Sequence, residues 1–293
     1  MEESGGVWWC VSAVKMIVES IKIIACNKLV FASIMLLTTL PLSTLLISQS
    51  ISTHSLTSQI HHLEALARYA PTRFEARHVW RQSRHDALSL LRIKALFSLP
   101  SYLLSLAAAL SAVHSTRLAL HADTTHSLLS AALRLFATTI FVYAILLAFS
   151  PIPRFLAALA SSAAARLLLL AAGSALEVYL MAVMSVALVV SVAEERFGWD
   201  AIRVGSALME GSRACGWALS GLFVLGSSLI GSKVERLMEA EDWIRVEDKA
   251  NVIVWYGLLV LWSYVIMTIF YCDCRKRHPI RELQPEEMQL SAM

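Results

Sequence analysis

Charged side chains are scarce in this sequence. Asp, Glu, Lys and Arg make up 16% of its 293 residues, whereas about a quarter of an average soluble domain is charged. Hydrophobic residues make up 57%, and the mean hydropathy is +0.62. The apolar residues are concentrated in runs of about 20, the length that crosses a bilayer as a helix. The composition therefore predicts an integral membrane protein and excludes collagen-like, disordered and disulfide-rich secreted chains.

Cysteine and asparagine are also rare. The five cysteines do not form the even, regularly spaced set of a secreted disulfide framework. Neither of the two asparagines, Asn27 and Asn251, begins an N-x-[ST] glycosylation motif. The formal net charge of +3, from 25 basic and 22 acidic residues, is too balanced to indicate nucleic-acid binding. Nucleic acid is therefore not an expected partner.

The common catalytic motifs are missing too. The sequence has no nucleophile elbow, no nicotinamide-binding fingerprint, no metalloprotease helix and no C-x-x-C pair. Only one polar loop is long enough to form even a small soluble domain. We therefore expect no enzyme, no catalytic residues, no cofactor and no metal site.

What the sequence does contain is six long apolar runs. They predict an all-α fold, a polytopic membrane helix bundle of about six transmembrane helices with additional amphipathic interfacial helices. Pro41 and Pro100 are expected to kink the first two spans. One membrane domain is expected over residues 29–272. The predicted spans are 29–51, 95–114, 128–150, 167–193, 214–231 and 252–272.

Amphipathic segments lie outside these runs. Residues 1–28 place polar side chains on one helical face and apolar ones around the rest, which predicts an interfacial helix. The loop 52–94 is expected to consist of amphipathic helices. An interfacial stretch is expected before the long fourth span, and a short polar tail over 273–293.

The orientation is predicted from the chain ends. The juxtamembrane cations Arg275, Lys276 and Arg277 place both termini in the cytosol by the positive-inside rule, although the seven Lys and Arg residues of loop 52–94 argue the opposite. The sequence carries no terminal address signal that chooses between the endoplasmic reticulum and the plasma membrane.

Two charged residues within the spans are candidate polar sites. Glu177 is the only acidic residue inside a predicted span, and it shares a helical face with Ser174, Met181 and Ser185. Such a carboxylate is neutral, paired or facing water, and in a hydrated path it could carry protons or cations. Arg134, on the third span, could reach it from another helix or extend to the lipid headgroups instead.

Cys272 and Cys274 are candidate lipidation sites. They adjoin the basic cluster that follows the last span, a setting typical of reversible palmitoylation. The alternative is that both are unmodified thiols.

One segment carries a resemblance to a known family. After an apolar run ending in Val-Val-Ser-Val-x-Glu, a glycine, an alanine and a short helix ending in glycine follow over residues 189–211. This pattern resembles a family of plant multi-span membrane proteins, which implies membrane residence but no activity. The segment predicts a span that leaves the bilayer at Glu194, a turn at Gly198, and a surface helix over 200–210 with Trp199 at the interface. The matching residues are Val189, Val190, Ser191, Val192, Glu194, Gly198, Ala201, Ser206 and Gly211.

Two function classes follow. The first is a non-enzymatic membrane scaffold, adaptor or lipid-organising protein, with the lipid bilayer as partner and with protein partners or a helix-packed oligomer. The alternative is a transporter or channel with a polar path past Glu177. A lipid-modifying enzyme would need a headgroup site in loop 52–94 and ranks behind both.

Overall fold

The computed structural model describes residues 5–69, 73–120, 128–160, 162–239 and 246–277, although not every side chain within them. Every regular element in these ranges is helical. The helices are α1 (Gly5–Cys26), α2 (Lys28–Ile34), a π-helical turn (Met35–Thr39), α3 (Leu40–Tyr69), α4 (Arg73–Ala119), α5 (Leu128–Phe149), α6 (Pro151–Leu159), α7 (Ala163–Ala193), α8 (Gly198–Leu208), α9 (Arg213–Glu239) and α10 (Val246–Arg277).

In the described ranges, six helical segments are long and apolar enough to cross a membrane. They are Lys28–Thr53, Arg84–Ala119, Leu129–Leu159, Ala163–Ala193, Arg213–Arg236 and Glu247–Arg277. The expected all-α bundle of about six membrane-spanning helices is confirmed. Most of these segments exceed the roughly 20 residues that a bilayer requires, so the helices are longer than the apolar runs that predict them.

The helices continue beyond the predicted span ends. The segments expected as loop helices over 52–94 are the end of α3 and the beginning of α4, so they are continuous with the first two spans. Most side chains of residues 54–83 lie outside the described residues. Arg275, Lys276 and Arg277 form the last turn of α10, and the remainder of the predicted tail also lies outside the described residues.

The chain divides into two compact units that interleave along the sequence. Unit 1 comprises Met1–Cys26, Val113–Val224 and Tyr264–Met293, and unit 2 comprises Asn27–Ala112 and Leu225–Ser263. The expectation of one membrane domain over 29–272 stays a prediction.

In unit 2, a π-helical turn lies directly before Pro41. Proline has no N–H and cannot continue the regular α-helical ladder, and wide turns of this kind are one recognised cause of helix bending. Hydroxyl groups satisfy backbone carbonyls here, as Thr38 donates to the carbonyl of Ile34 at 2.7 Å and Thr39 donates to that of Met35 at 3.1 Å. The predicted disturbance at Pro41 therefore takes the form of a π-helical turn.

In unit 1, α6 and α7 form a hairpin. The position of a Cβ on Gly173 would lie 2.3 Å from Cβ of Pro153, so only glycine allows the two helices to approach this closely. The side chain of Ser162 caps α7 by accepting from the N–H of Ala165 at 3.1 Å. The fourth candidate span is one continuous helix over Ala163–Ala193, and the interfacial stretch expected before it stays a prediction.

Candidate functional site

The end of α7 is a well-buried part of unit 1. Ten of its last twelve residues are buried, in the stretch 182–193. Val190 is fully buried, as are Val186 and Ala187. The helix then ends abruptly, because Glu194 adopts an extended conformation with φ −123° and ψ 166°. This places a carboxylate directly beside an apolar core.

Glu194 is the centre of a polar cluster made with Tyr271, Arg275 and Arg196, called here the Glu194 cluster. The hydroxyl of Tyr271 donates to Oε1 of Glu194 at 2.7 Å. Nη1 of Arg275 lies 3.4 Å from the same oxygen, and Nε of Arg196 lies 3.8 Å from Oε2. The glutamate side chain is only 14% exposed. Both carboxylate oxygens are therefore engaged, and the cluster joins α7 to the end of α10.

Two further arginine contacts extend this cluster. Nη1 of Arg117 donates to the carbonyl of Ala193 at 3.3 Å, which places a cation at the negative end of the α7 dipole. Arg196 also contacts Asp200, with Nη1 donating to Oδ2 at 3.1 Å. The C-terminus of α7 is thus fixed by α4, α8 and α10.

Two glycines allow α8 to pack closely against the neighbouring helices. Gly198 has φ +60°, a left-handed conformation that glycine adopts without strain, and its N–H donates to the hydroxyl of Thr138 at 2.9 Å. At Gly205, a Cβ would lie 3.1 Å from the backbone nitrogen of Ala187, so the two helix backbones are in close contact. The predicted turn at Gly198 and the helix after it are confirmed.

The α8 helix has two distinct faces. Its outer face is polar and includes exposed Asp200 and Arg203, with exposed Trp199 in the first turn. Exposed Phe197 directly precedes the helix. Its inner face consists of the buried residues Ala201, Ile202, Val204, Gly205 and Leu208.

The N-terminal helix α1 has three faces. One is buried, the next is exposed and apolar, and the third is polar. Ser12, on the polar face, lies 3.4 Å from Nη2 of Arg277 at the end of α10, and that nitrogen also contacts Asp273 at 2.7 Å. The buried face comprises Ala13, Met16 and Ser20; the exposed apolar face comprises Val14, Val18 and Ile21; the polar face comprises Ser12, Lys15, Glu19 and Lys22.

The two predicted intramembrane charges are not brought together. Glu177 is half-buried on the N-terminal half of α7, and it has no hydrogen-bond or ion-pair partner among the described residues. Arg134 lies on α5, and its Nε and Nη2 atoms are buried without a hydrogen-bond partner. The structure places each of them in unit 1 as a separate feature.

The two predicted lipidation sites differ in access. Cys274 is fully buried, so an acyl chain could be attached only if the end of α10 opened. Cys272 is half-buried and has Arg117, Lys276 and Glu19 as charged neighbours. Palmitoylation stays a prediction, with Cys272 the more accessible of the two thiols.

The Glu194 cluster holds helices in place and leaves no carboxylate oxygen for a substrate. Among the described residues, no three His, Cys, Asp or Glu side chains lie close enough together to hold a metal ion. The arrangement leaves cations at the surface of unit 1, including Arg203, Arg277 and the exposed lysines of α1. The cluster therefore joins helix ends beside a basic surface.

Sequence reasoning did not find the cluster. Tyr271 and Glu194 are 77 residues apart, and nothing in either local sequence pairs them. The available signals were an acidic residue directly after a buried apolar run and a tyrosine beside a basic helix end.

Comparison with known proteins identifies a family but no characterised relative. Neither the curated proteins nor the solved structures give a match to the chain. The profile of one family, described as a domain of unknown function (DUF8558), matches residues 8–281. That range includes α8, the Glu194 cluster and almost all of α1. The chain therefore belongs to the DUF8558 family.

Proposed function

We propose that this protein is a non-enzymatic membrane scaffold that organises lipid at one face of the bilayer, with α1 and α8 as the elements that contact the membrane surface. The observation that carries the proposal is the division of α1 into a packed, a polar and an exposed apolar face. The resemblance to plant multi-span membrane proteins belongs to the same proposal.

The faces of α1 match an interfacial helix. Val14, Val18 and Ile21 are each more than half exposed and recur at helical spacing, so they form one apolar stripe. Lys15 and Lys22 lie on a different side and are exposed. A helix at the boundary between headgroups and acyl chains needs these two faces. The third face, which includes Met16, is buried and attaches the helix to the protein.

The α8 helix supplies a second interfacial element. It follows the buried end of α7 after only four residues, and exposed Phe197 and Trp199 flank its start. Aromatic side chains are enriched at the level of the lipid headgroups. The close backbone contact between Gly205 and Ala187 supports a rigid position for this helix.

The proposal places both termini in the cytosol. Contact between Ser12 and Arg277 puts α1 at the same end of unit 1 as the last turn of α10, where Arg275, Lys276 and Arg277 lie. A cluster of cations beside a span favours the cytosolic side. The mechanism applies equally in the endoplasmic reticulum and the plasma membrane.

Photocrosslinking tests the position of α1 directly. The full-length protein is reconstituted in lipid nanodiscs with p-benzoylphenylalanine at Val18, Met16 or Lys15, one site at a time. We expect lipid adducts from position 18, adducts within the chain from position 16, and few adducts from position 15, where the label meets water. Equal lipid adduct yields from positions 15 and 18 would contradict an interfacial α1.

Lipid organisation is tested with spin-labelled phospholipid. The fraction of motionally restricted lipid is measured by electron paramagnetic resonance in proteoliposomes of the wild type and of the double variant Val18→Asp, Ile21→Asp. We expect the restricted fraction to fall in this variant. Lys15→Gln, which keeps a polar side chain on the polar face of the same helix, serves as the matched control and should leave the fraction unchanged. A double variant that restricts as much lipid as the wild type would refute the role of α1.

A transporter or channel is the second candidate function. The observation that favours it is Glu177, a half-buried acid in a candidate span with no partner in the described part of the chain. Such residues often line ion or proton paths. Proton and ion flux into proteoliposomes under an imposed gradient, compared between wild type and Glu177→Gln, separates the two functions. The scaffold proposal expects no flux above that of empty liposomes in either protein.

A further inference from the structure

Two of the three guanidinium nitrogens of Arg134 are buried without a hydrogen-bond partner in the described part of the chain. These nitrogens are Nε and Nη2, and both are shielded from solvent. Removing a charged group from water without a partner is strongly unfavourable. A group of this kind calls for a partner such as an ion or ligand.

The two atoms without a partner point to the shape of that ligand. Nε and Nη2 lie on one edge of the planar guanidinium group, and together they form a fork with two parallel N–H bonds. This fork matches two oxygens of a carboxylate or a phosphate. A bidentate oxyanion would satisfy both atoms at once.

No described carboxylate of unit 1 supplies this anion. The acids that form ion pairs there are engaged with other arginines, and Glu177 has no contact with Arg134. The engaged pairs are Glu194 with Arg275 and Arg196, Asp200 with Arg196, Glu210 with Arg213, and Asp273 with Arg277.

The position of Arg134 along α5 indicates the source of the anion. Thr138, one turn further along, receives the N–H of Gly198, which comes shortly after the end of α7. Because α5 leads through α6 to the start of α7, the N-terminal end of α5 lies where α7 ends. Arg134 is about 6 Å nearer that end than Thr138, toward the level of the headgroups.

The surface beside Arg134 is apolar. Leu133 is 64% exposed and Leu129 is 72% exposed, so acyl chains can lie along this part of α5. The headgroup of a phospholipid whose chains lie along these leucines would be near the N-terminal end of α5, on the side of the arginine. A free anion would gain nothing from the exposed leucines.

We propose that the Arg134 fork binds the phosphate of an anionic phospholipid. The inference rests on the proposed function for its membrane setting and adds a defined headgroup site to it. It is independent of the lipid contacts of α1, which the crosslinking experiment tests separately.

The site is tested on purified, delipidated full-length protein in detergent. Binding of phosphatidylglycerol is followed by native mass spectrometry and by the shift in melting temperature, for wild type, Arg134→Lys and Arg134→Met. Lysine keeps the charge but loses the fork, and we expect its affinity to fall about tenfold. Arg236→Met, which removes an exposed arginine near the end of α9, is the matched control and should bind as the wild type does.

Arg134→Met should change the melting temperature in a way that the loss of a purely structural arginine would not. Without lipid, the variant should melt at a higher temperature than the wild type, because two buried nitrogens without a hydrogen-bond partner have been replaced by an apolar side chain. With phosphatidylglycerol, the wild type should gain stability and the variant should not. A variant that melts lower without lipid and keeps the full lipid-induced shift would overturn the proposal.

Inorganic phosphate and phosphatidylcholine identify the source. We expect millimolar phosphate to give a much smaller shift than phosphatidylglycerol, and phosphatidylcholine to bind more weakly. If inorganic phosphate stabilises the wild type as much as the lipid does, and Arg134→Met abolishes that shift, the site holds a free anion and the lipid assignment is wrong. If neither ligand shifts the wild type, the site does not exist.

Discussion

The two halves of α7 belong to one candidate membrane span but differ in burial. Residues 182–193 are almost all buried, and α8 crosses them with Gly205 against the backbone of Ala187. The first half, by contrast, exposes Leu167, Leu168 and Leu176, and it carries Glu177 without a described partner. Apolar composition therefore predicts that the helix can cross a membrane, but not which part of it packs.

The two halves carry different kinds of side chain. The buried half is rich in valine and has the small residues Ala182 and Ala187, whereas the exposed half contains four consecutive leucines and the charged residues Arg166 and Glu177. Helices in lipid approach one another through small residues, because lipid tails solvate large apolar side chains as well as protein does. The following predictions compare substitutions at the contacts of the buried half with a substitution in the exposed half.

The largest effect is expected at the crossing of α7 and α8. In Gly205→Leu, the new side chain must displace the α7 backbone at Ala187, which cannot yield as a flexible side chain would. We expect a loss of about 3 kcal/mol in the free energy of unfolding, measured by denaturation in mixed micelles. Gly231→Leu is the matched control, since a Cβ there has no atom within 4 Å. Equal losses in both variants would show that the crossing is not specific.

Much of this architecture could be predicted from the sequence. The six spans follow from run length and hydropathy alone, and the helix after Gly198 follows from a glycine turn and a new apolar period. The contrast within α7 could not be predicted in this way. Both halves belong to one candidate span by length and hydropathy, and those criteria do not say which side chains contact other helices.

The second effect is expected in the Glu194 cluster. Glu194→Ala removes the acceptor for the Tyr271 hydroxyl and leaves Arg275 and Arg196 without their shared anion. We expect a loss of about 2 kcal/mol in the free energy of unfolding, less than for a fully buried pair because both arginines are about 40% exposed.

A double-mutant cycle separates the hydrogen bond from the ion pairs. Tyr271→Phe alone should cost about 1 kcal/mol, and it should cost almost nothing when Glu194 is already alanine. Additive effects would mean that the two side chains do not interact. Glu235→Ala, at an exposed glutamate near the end of α9, is the control and should leave stability unchanged.

The members of this cluster could not be paired from the sequence. Glu194 and Tyr271 come from different helices, and their contact depends on how α7 and α10 are arranged in unit 1. The sequence indicates Glu177 and Arg134 as candidate sites instead, because charged residues inside apolar runs are rare. The residues of the Glu194 cluster lie at or beyond the ends of those runs, where charged residues are common.

A smaller effect is expected at the turn before α8. In Gly198→Ala, an L-residue must adopt φ +60°, and its Cβ would lie 3.1 Å from the ring of Phe141. The left-handed conformation alone costs about 1 kcal/mol, and the loss should appear as a lower melting temperature. Gly231→Ala, at a position with open space around it, provides the comparison. A melting temperature for Gly198→Ala equal to that of this control would mean that the turn can be made without glycine.

The smallest effect is expected in the exposed half of α7. Glu177→Gln removes a charge that has no partner among the described residues, so the free energy of unfolding should change by less than about 0.5 kcal/mol. Glu194→Gln should lose considerably more free energy of unfolding. Measuring both variants compares the same substitution in the exposed half of α7 and at the end of its buried half. A loss above about 1 kcal/mol would show that Glu177 has a stabilising partner. An unchanged free energy of unfolding combined with a change in proton or ion flux would indicate that Glu177 acts in transport and not in packing. Unchanged stability and no flux would leave the Glu194 end of α7 as the part of the helix on which the fold depends.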